Sequence, residues 1–373
     1  MKKVYFDNAA TTALREEVIH EMTSVLIENF GNPSSTHSFG RNAKNILESS
    51  RKIIAKHLYA LASEIIFTSS ATEATNWILR SAVKDLGVKH IITSKIEHHA
   101  TLHTVLVLEK EYNVKVSYLP ILEDGNLDIA FLNGFLEDDE KTIVSLMHVN
   151  NETGEILPID QVSKICQEKK AYFHCDAVQS IGKMPLDVNL LGADFIVGTA
   201  HKFHGPKGIG FAYIKKNTIL QPLLYGGEQE KGFRAGTEAV HQVSGMAKAL
   251  ELAYINLNEE RAYIESLKKY CTESLKKAFP DSKIIGLNTF YNMMNVVLPL
   301  DPNKTAMLLF SLDMKGIAVS RGSACQSGSN KPSHVLAAFL SPEEQLKPNI
   351  RISFSHWNTK EEIDYLVEVL QTI

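Results

Sequence analysis

Short apolar runs alternate with longer amphipathic segments through the middle of the chain. The apolar runs predict buried strands, and hydrophobic residues spaced three or four positions apart predict helices. The predicted strands are 64–68, 90–93, 114–119, 142–148, 171–175, 193–197 and 208–214. Because these strands are almost continuously apolar, both faces of their sheet are expected to be covered. The pattern therefore predicts an α/β fold with a mostly parallel sheet wrapped by helices.

Helical periodicity fills the segments between and around these strands. The predicted helices of this part are 14–30, 41–60, 72–83, 99–111, a short one near 128, and 159–168. One long helical stretch follows from 241 to 279, with a break expected at residues 256–258. This stretch is suited to link two domains.

A second, smaller α+β unit is predicted beyond the long helical stretch. Its predicted strands and helices are 294–298, 304–313, 316–319, 349–354 and 361–370. A chain of 373 residues is too long for one small core. We therefore expect a large cofactor-binding domain at 13–255, and a small domain at 1–12 with 256–373.

Composition narrows the classes of function. The hydrophobic fraction is 44% and the charged fraction 22%, as in ordinary globular proteins. A net charge of −4 gives no basic field for nucleic acid or anionic lipid. The first residues include no apolar export segment and no run has the length of a membrane span, so the expected location is cytoplasmic. Neither C-x-x-C nor His-Glu-x-x-His occurs, and no metal site is expected.

A glycine- and proline-rich connection at residues 199–210 joins the last two predicted strands of the sheet. It reads Thr-Ala-His-Lys-Phe-His-Gly-Pro-Lys-Gly-Ile-Gly and places Lys202 next to the core. Taking an ammonium group out of water is costly, and a desolvated lysine has a lowered pKa. Such an amine can capture a carbonyl group, as Schiff-base chemistry requires. A solvated loop lysine explains the local sequence equally well.

Two other strand ends carry groups suited to a charged ligand. Residues 69–73, Ser-Ser-Ala-Thr-Glu, open a helix whose first N–H groups can bind phosphate, although a capping box from Ser70 to Glu73 alone explains them. Asp176 follows a predicted strand and is either a helix N-cap or the partner of a protonated pyridine nitrogen. Together with Lys202, these groups outline a pyridoxal phosphate site.

Further polar residues follow two more strands. Because ligands of open α/β sheets bind at the carboxyl ends of the strands, His98 and Asn151 are expected at the same edge. His98 can lie over a cofactor ring as stacking partner and proton shuttle. A single histidine in such a position is more often structural. Asn151 fits the rim of the site.

The smaller unit contributes one cysteine and one arginine. Cys325 lies in a polar loop without apolar neighbours, so an exposed, reactive thiolate is plausible. Cys166 and Cys175 lie in apolar patterns and are expected to be structural, whereas Cys271 is ambiguous. Arg351 lies inside a strand pattern, where it either pairs with a carboxylate of the protein or clamps a substrate carboxylate.

Taken together, the chain resembles the cysteine desulfurases of the NifS/IscS-like type, which belong to the class-V, fold-type-I pyridoxal phosphate enzymes. The likeness covers essentially the whole chain, and its strength lies in many weak motifs standing in order. The motifs are Tyr-Phe-Asp-Asn-Ala-Ala-Thr-Thr, Gly-Asn-Pro-Ser-Ser, Ser-Lys-Ile-Glu-His, Met-His-Val-Asn-Asn-Glu, Asp-Ala-Val-Gln, His-Lys-Phe-His-Gly-Pro-Lys-Gly, Phe-Arg-Ala-Gly-Thr and Gly-Ser-Ala-Cys.

The resemblance implies a role for each residue around the cofactor. Lys202 would bind pyridoxal phosphate covalently and move the Cα proton, Asp176 would keep the ring nitrogen protonated, and Gln179 would bond the phenolic oxygen. His98 would stack on the ring, with Asn151 beside it. The residues implied for the phosphate are Ala71, Thr72, Thr199 and His201.

The resemblance also implies the reaction and the assembly. Cys325 would take sulfur from L-cysteine, giving L-alanine and an enzyme persulfide for a protein acceptor in iron–sulfur cluster assembly or tRNA thiolation. Arg351 and Asn151 would grip the substrate carboxylate. Thr237 would reach the phosphate of the neighbouring subunit's cofactor, which implies a homodimer.

The sequence departs from the family pattern at several positions, and it leaves rival functions open. Ser70 replaces a usual glycine, Ser355-His356 stands where Gly-Arg is common, and no scaffold-binding tail is expected after Ile373. An aminotransferase or a selenocysteine lyase could use the same fold. A catalytically silent binding protein is the rival from another class.

Overall fold

A computed structural model describes residues 3–122, 126–136, 140–322, 333–338 and 340–373 of the chain. The strands are β1 (Val4–Tyr5), β2 (Ile65–Thr68), β3 (His90–Ser94), β4 (Lys115–Leu119), β5 (Thr142–Met147), β6 (Tyr172–Asp176), β7 (Phe195–Thr199), β8 (Gly210–Ile214), β9 (Lys283–Ile285), β10 (Met293–Val297), β11 (Ile317–Ala318) and β12 (Asn349–Ser353). The helices are α1 (Glu16–Glu28), α2 (Ser38–His57), α3 (Ala71–Lys84), α4 (His99–Tyr112), α5 (Ala130–Phe135), α6 (Ile159–Glu168), α7 (Val188–Leu191), α8 (Val240–Ile255), α9 (Leu257–Ala278), α10 (Leu308–Asp313), α11 (Pro342–Leu346) and α12 (Lys360–Thr372).

A seven-stranded sheet dominates the fold. Its order is β2-β8-β7-β6-β5-β3-β4. Strand β8 runs antiparallel to both neighbours, and the other strand pairs are parallel. The prediction of an α/β fold with a mostly parallel sheet is confirmed. The carboxyl ends of β2, β3, β5, β6 and β7 consequently open toward one edge, where ligands of such sheets bind.

Two apolar layers cover the faces of this sheet. Trp77 and Ile78 of α3 pack with Val105 and Leu108 of α4 in one buried cluster. The opposite layer contains buried residues of α2, α6 and α8. Strands β2, β3, β5, β7 and β8 are buried along their whole length, which explains their near-continuous apolar sequence.

A second core forms around the antiparallel sheet β12-β10-β9 and the parallel pair β1-β11. The start of the chain belongs to it, because Val4 pairs with Ile317 and Asp7 bridges to Ser353. The division at 13–255 against 1–12 with 256–373 stays a prediction. None of the helices in the described residues is both long and apolar enough to cross a lipid bilayer.

Most predicted elements occur within a few residues of their expected bounds. The predicted break in the long helical stretch is confirmed at Asn256, where α8 ends and α9 begins. Four elements were not predicted: β1, α7, β9 and α11. Each has two to five residues. Segments this short show no hydrophobic period: β1 and β9 are fixed by pairing with β11 and β10, whereas α7 and α11 begin at the local N-caps Asp187 and Ser341.

A buried ion pair fixes the start of β2 beneath the strand end that the sequence predicts for phosphate. Both Arg51 terminal nitrogens lie 2.7 Å from the Glu230 carboxylate oxygens. The Arg51 guanidinium also donates to the Ile65 carbonyl at 2.8 Å, and the Phe67 N–H donates to Glu230 at 2.8 Å. Because this carboxylate joins α2 to β2, it sets the position at which β2 delivers residues 69–72.

Replacing Glu230 with alanine is expected to destabilise the protein by about 3–5 kcal/mol, because it leaves the buried Arg51 charge without its main partner. Glu48 provides the control: it also pairs with Arg51, at 3.3 Å, but its side chain is 40% exposed. Glu48→Ala should cost no more than about 1 kcal/mol. Urea unfolding measures both values, and equal losses for the two variants would contradict the assignment.

Candidate active site

A cleft of about 250 Å³ opens at the carboxyl ends of the parallel strands. Ten of the twelve residues singled out from the sequence line it. They are Ala71, Thr72, His98, Asn151, Asp176, Gln179, Thr199, His201, Lys202 and Arg351. Thr237 does not line this cleft, and Cys325 lies outside the described residues. The strand ends and the family resemblance therefore pointed to residues that share one cavity.

Lys202 lies in a single helical turn between β7 and β8, as the glycine-rich sequence predicted. Its Nζ donates to the carbonyls of Ala9 and Ala10, at 2.7 and 2.8 Å. The turn requires glycine at position 205, because a Cβ there would lie 2.8 Å from the Cβ of Ala200. Lys202 is thus held at the cavity wall against the first segment of the chain, and is not a freely solvated loop lysine.

The start of α3 lines the cavity with the backbone of its first turn. Ser70 is the N-cap, and its hydroxyl accepts the Glu73 N–H at 3.2 Å. Glu73 accepts the Ser69 N–H at 2.8 Å and pairs with Arg234. The Ser70 N-cap is therefore confirmed, but the reciprocal capping box is not formed, because the Glu73 carboxylate accepts from Ser69 and not from Ser70. The capping bonds do not use the N–H groups of the first two helical residues. Like those of any helix start, these N–H groups favour an anion.

Asp176 at the end of β6 presents a carboxylate to the cavity. One of its oxygens accepts the Val178 N–H at 3.0 Å. Burial raises the pKa of Asp176 to about 6, against the lowering effects of that bond and of Lys202. The protein alone therefore does not fully stabilise this carboxylate. A cationic ligand group beside it, such as a protonated ring nitrogen, would complete the site.

Two histidines of the cavity are neutral at physiological pH. Burial, with Lys202 as the next cause, lowers the pKa of His98 to about 4 and that of His201 to about 3. His98 is the N-cap of α4, and its Nδ1 accepts the Ala100 N–H at 3.1 Å. The proton of the neutral His98 ring must then be on Nε2. In this state His98 can donate its Nε2 proton, but it cannot accept a proton while Nδ1 is held by the Ala100 N–H.

Arg351 on β12 pairs with a carboxylate of the protein, which is one of the two interpretations that the sequence left open, and its role as a substrate clamp stays a prediction. Its Nη2 lies 2.7 Å from Asp7, and its Nη1 donates to the Asn151 carbonyl at 2.7 Å. The guanidinium nevertheless lines the cavity, and its Nε has no hydrogen-bond partner among the described residues. Arg351 is therefore anchored by a protein carboxylate while it faces the place where a substrate would bind.

The described cysteines are all unsuited to chemistry in solvent. Cys166, Cys175 and Cys271 are buried, which confirms the structural interpretation of the first two and settles the ambiguity of the third. Burial raises the pKa of Cys166 and of Cys271 to about 12, and that of Cys175 well above its ordinary value. None of the three is a thiolate near neutral pH.

Sequence reasoning missed several groups of this site. The carbonyls of Ala9 and Ala10 hold Lys202, although only their small size in Asp-Asn-Ala-Ala-Thr-Thr marked them. Glu97 is fully buried beside Asp176, and burial followed by that neighbour raises the pKa of Glu97 to about 8. Lys183 is likewise buried under the cavity. No local sequence pattern distinguishes Glu97 and Lys183 from charged residues on the surface.

Comparison with known proteins identifies the family. Residues 4–366 match the family model described as Aminotransferase class-V. The chain belongs to the class-V aminotransferase family. Enzymes of this family depend on pyridoxal phosphate, and the amine, carboxylate and helix start described above provide the three kinds of group that this cofactor needs.

Relatives within the class-V family are named cysteine desulfurases. The chain is 42% identical to "Cysteine desulfurase IscS" of Dictyoglomus turgidum and 43% identical to the protein of that name in Clostridium botulinum, over 100% of this chain and 94% of each relative. A solved "NIFS-LIKE PROTEIN" superposes with a TM-score of 0.91 at 36% identity, over 100% of this chain and 99% of that one. The predicted resemblance is confirmed.

Proposed function

We propose that this protein is a pyridoxal-phosphate-dependent cysteine desulfurase, which converts L-cysteine to L-alanine and retains the sulfur for transfer to an acceptor. The observation that carries the proposal is the shared cavity. One wall presents the Lys202 amine, another the Asp176 carboxylate, and a third the start of α3. Full-length relatives with this activity in their names support the same conclusion.

The side chains of the cavity divide the work of holding the cofactor. Ala71, Thr72, Thr199 and His201 would hold the phosphate. Lys202 would bind the aldehyde carbon, and Asp176 would keep the ring nitrogen protonated. His98 and Asn151 would flank the ring, and Gln179 would contact its phenolic oxygen. When bound, pyridoxal phosphate withdraws electrons from the substrate, which makes the Cα proton acidic.

The remaining steps belong to protein groups. Lys202 accepts the Cα proton and returns it, because its amine lies at the cavity wall. Arg351 and Asn151 would hold the substrate carboxylate. The Cys325 thiolate would attack the substrate sulfur. A new S–S bond forms, the C–S bond breaks with its electron pair going to carbon, and protonation of that carbon yields alanine, so no external oxidant is needed.

Incubation of the purified protein with L-cysteine tests this function. A desulfurase is expected to be yellow with bound cofactor and to release one alanine for each sulfur removed. Formation of a keto acid instead would favour an aminotransferase. A higher kcat/KM for selenocysteine than for cysteine would favour a selenocysteine lyase. A protein that stays colourless with added pyridoxal phosphate would be a silent binding protein.

A homodimer is part of this proposal. Thr237 is exposed and lies away from its own cleft, as expected for a residue that completes the neighbouring subunit's site. Large apolar side chains are also exposed on the large unit, including Ile27 at 70%, Phe30 at 73% and Tyr225 at 74%. Exposed apolar surface of this kind is typical of an interface. The sulfur acceptor, for iron–sulfur clusters or tRNA thiolation, and the cytoplasmic location stay predictions.

Subunit mixing tests the shared site. Lys202→Ala and Thr237→Asp should each be inactive alone, because one lacks the amine and the other repels the partner's phosphate. After unfolding and refolding together, mixed dimers should regain about a quarter of the wild-type sites, since half of the dimers carry one intact site. Thr372→Asp, at an exposed threonine that ends α12 in the small unit, is the control. No recovery of activity in the mixture would contradict the shared site.

A further inference from the structure

We infer that Lys183 is a positioning residue that fixes Gln179 as a hydrogen-bond donor toward the cofactor's ring oxygen. This inference rests on the proposed function, because the ring oxygen belongs to pyridoxal phosphate. Lys183 lies in the turn that follows β6 and Asp176. It does not line the main cleft and therefore touches neither cofactor nor substrate.

The geometry determines both ends of the Gln179 amide. Lys183 Nζ donates to Gln179 Oε1 at 3.1 Å, and Gln179 Nε2 donates to the Ala9 carbonyl at 3.0 Å. A backbone carbonyl can only accept, so it must face the amide nitrogen, and the lysine amine has hydrogens to donate whether or not it is charged. The oxygen of the amide must therefore point to Lys183 and the nitrogen to Ala9. Exchanging the two would break both hydrogen bonds.

One N–H of Gln179 remains for the cavity. The amide nitrogen carries two hydrogens, and one of them bonds Ala9. Because Gln179 lines the cleft, its free polar group there is a donor, while its acceptor is turned away toward Lys183. A donor stabilises an anionic oxygen and disfavours its protonated form. The ring oxygen of the cofactor is accordingly kept as the anion.

Among the residues that the structure describes, no carboxylate forms an ion pair with Lys183. The residue is 7% exposed, and burial, followed by Lys202 and Arg351, lowers its pKa to about 7. His204 and His201 face it as neutral rings, since burial lowers the pKa of each to about 3. Arg15 and Glu260 lie across a small cavity and pair with each other at 2.7 Å. A buried methionine side chain would fill this volume at a lower free-energy cost than a buried amine. Packing alone therefore does not require a lysine here.

The same contacts link Gln179 to Lys202. The Ala9 carbonyl accepts from Gln179 Nε2 at 3.0 Å and from Lys202 Nζ at 2.7 Å. Loss of the Lys183 amine would leave Gln179 Oε1 buried without a donor, which is unfavourable. The amide is then expected to rotate so that its oxygen faces the cavity. The ring anion would then lose its hydrogen-bond donor.

The test is a pH titration of the yellow absorption band of the cofactor-loaded protein. In Lys183→Met, the midpoint should rise by about one pH unit or more, because the anionic form loses a donor. Lys183→Arg keeps a donor and should restore most of the wild-type midpoint. Thermal unfolding of the cofactor-loaded variants shows that both are folded.

A double-mutant cycle separates positioning from a direct charge effect. When Lys183→Met is added to Gln179→Leu, the double variant should have the same titration midpoint as Gln179→Leu alone. An equal shift in both backgrounds would show that Lys183 acts by its own charge, and an unshifted midpoint in Lys183→Met alone would also overturn the inference. A colourless wild type would instead refute the proposed function, so the two failures are distinguishable.

Discussion

Replacing Lys202 with alanine is expected to remove the yellow band and to lower alanine formation from L-cysteine by at least about a thousandfold. Two roles depend on this amine: it binds the cofactor, and it moves the substrate's Cα proton. The described residues place no other lysine on the wall of the cleft. Absorbance after addition of pyridoxal phosphate measures the first role, and alanine release measures the second.

Lys207 offers a matched control in the same loop. It is exposed and lies outside the cleft. Lys207→Ala should keep both the band and the activity within about twofold, as expected for a surface substitution. If Lys202→Ala remained yellow, or kept a tenth of the wild-type rate, the amine would not be the cofactor's attachment point.

Cys325→Ala should abolish persulfide formation and reduce alanine release to background, a loss of at least about a thousandfold. The three other cysteines cannot substitute for it, because burial keeps each of them as a protonated thiol. The variant should still bind the cofactor and respond spectrally to L-cysteine, since the cleft is intact. Peptide mass spectrometry locates the retained sulfur in the wild-type protein.

Cys166→Ala is the control for loss of a thiol. Cys166 is buried in the large core, so this variant should keep its persulfide on the Cys325 peptide and lose only modest stability. Retained sulfur on Cys166, Cys175 or Cys271 in the wild type would contradict the assignment. So would undiminished alanine release by Cys325→Ala.

The parts of the fold that were predictable are those with a strong local signal. Strands such as β5 and β7 are buried on both sides, so their continuous apolar residues marked them. Lys202 was marked by the glycines and proline that bend its loop. The position of Asp176 followed from one general rule, that ligands bind at the carboxyl ends of parallel strands.

The parts that were missed depend on contacts between distant residues. Lys183 follows Gln-Ser-Ile-Gly and has the sequence of an ordinary turn lysine; its burial arises from packing against other parts of the chain. The bond between Arg351 and Asp7 joins residues 344 positions apart. No periodicity reports such pairs, and for this reason the alternatives for Arg351 could not be resolved from the pattern.

The first segment of the chain has a consequence for biosynthesis. Ala9 and Ala10 hold the Lys202 amine, while Asn8 donates to the Ser353 carbonyl at 2.9 Å. These contacts connect Asn8 with a strand that the ribosome makes 345 residues later. Because such long loops close late, a nascent chain that has not reached β12 cannot assemble a complete catalytic centre. Cofactor capture is therefore expected only after β12 has been synthesised.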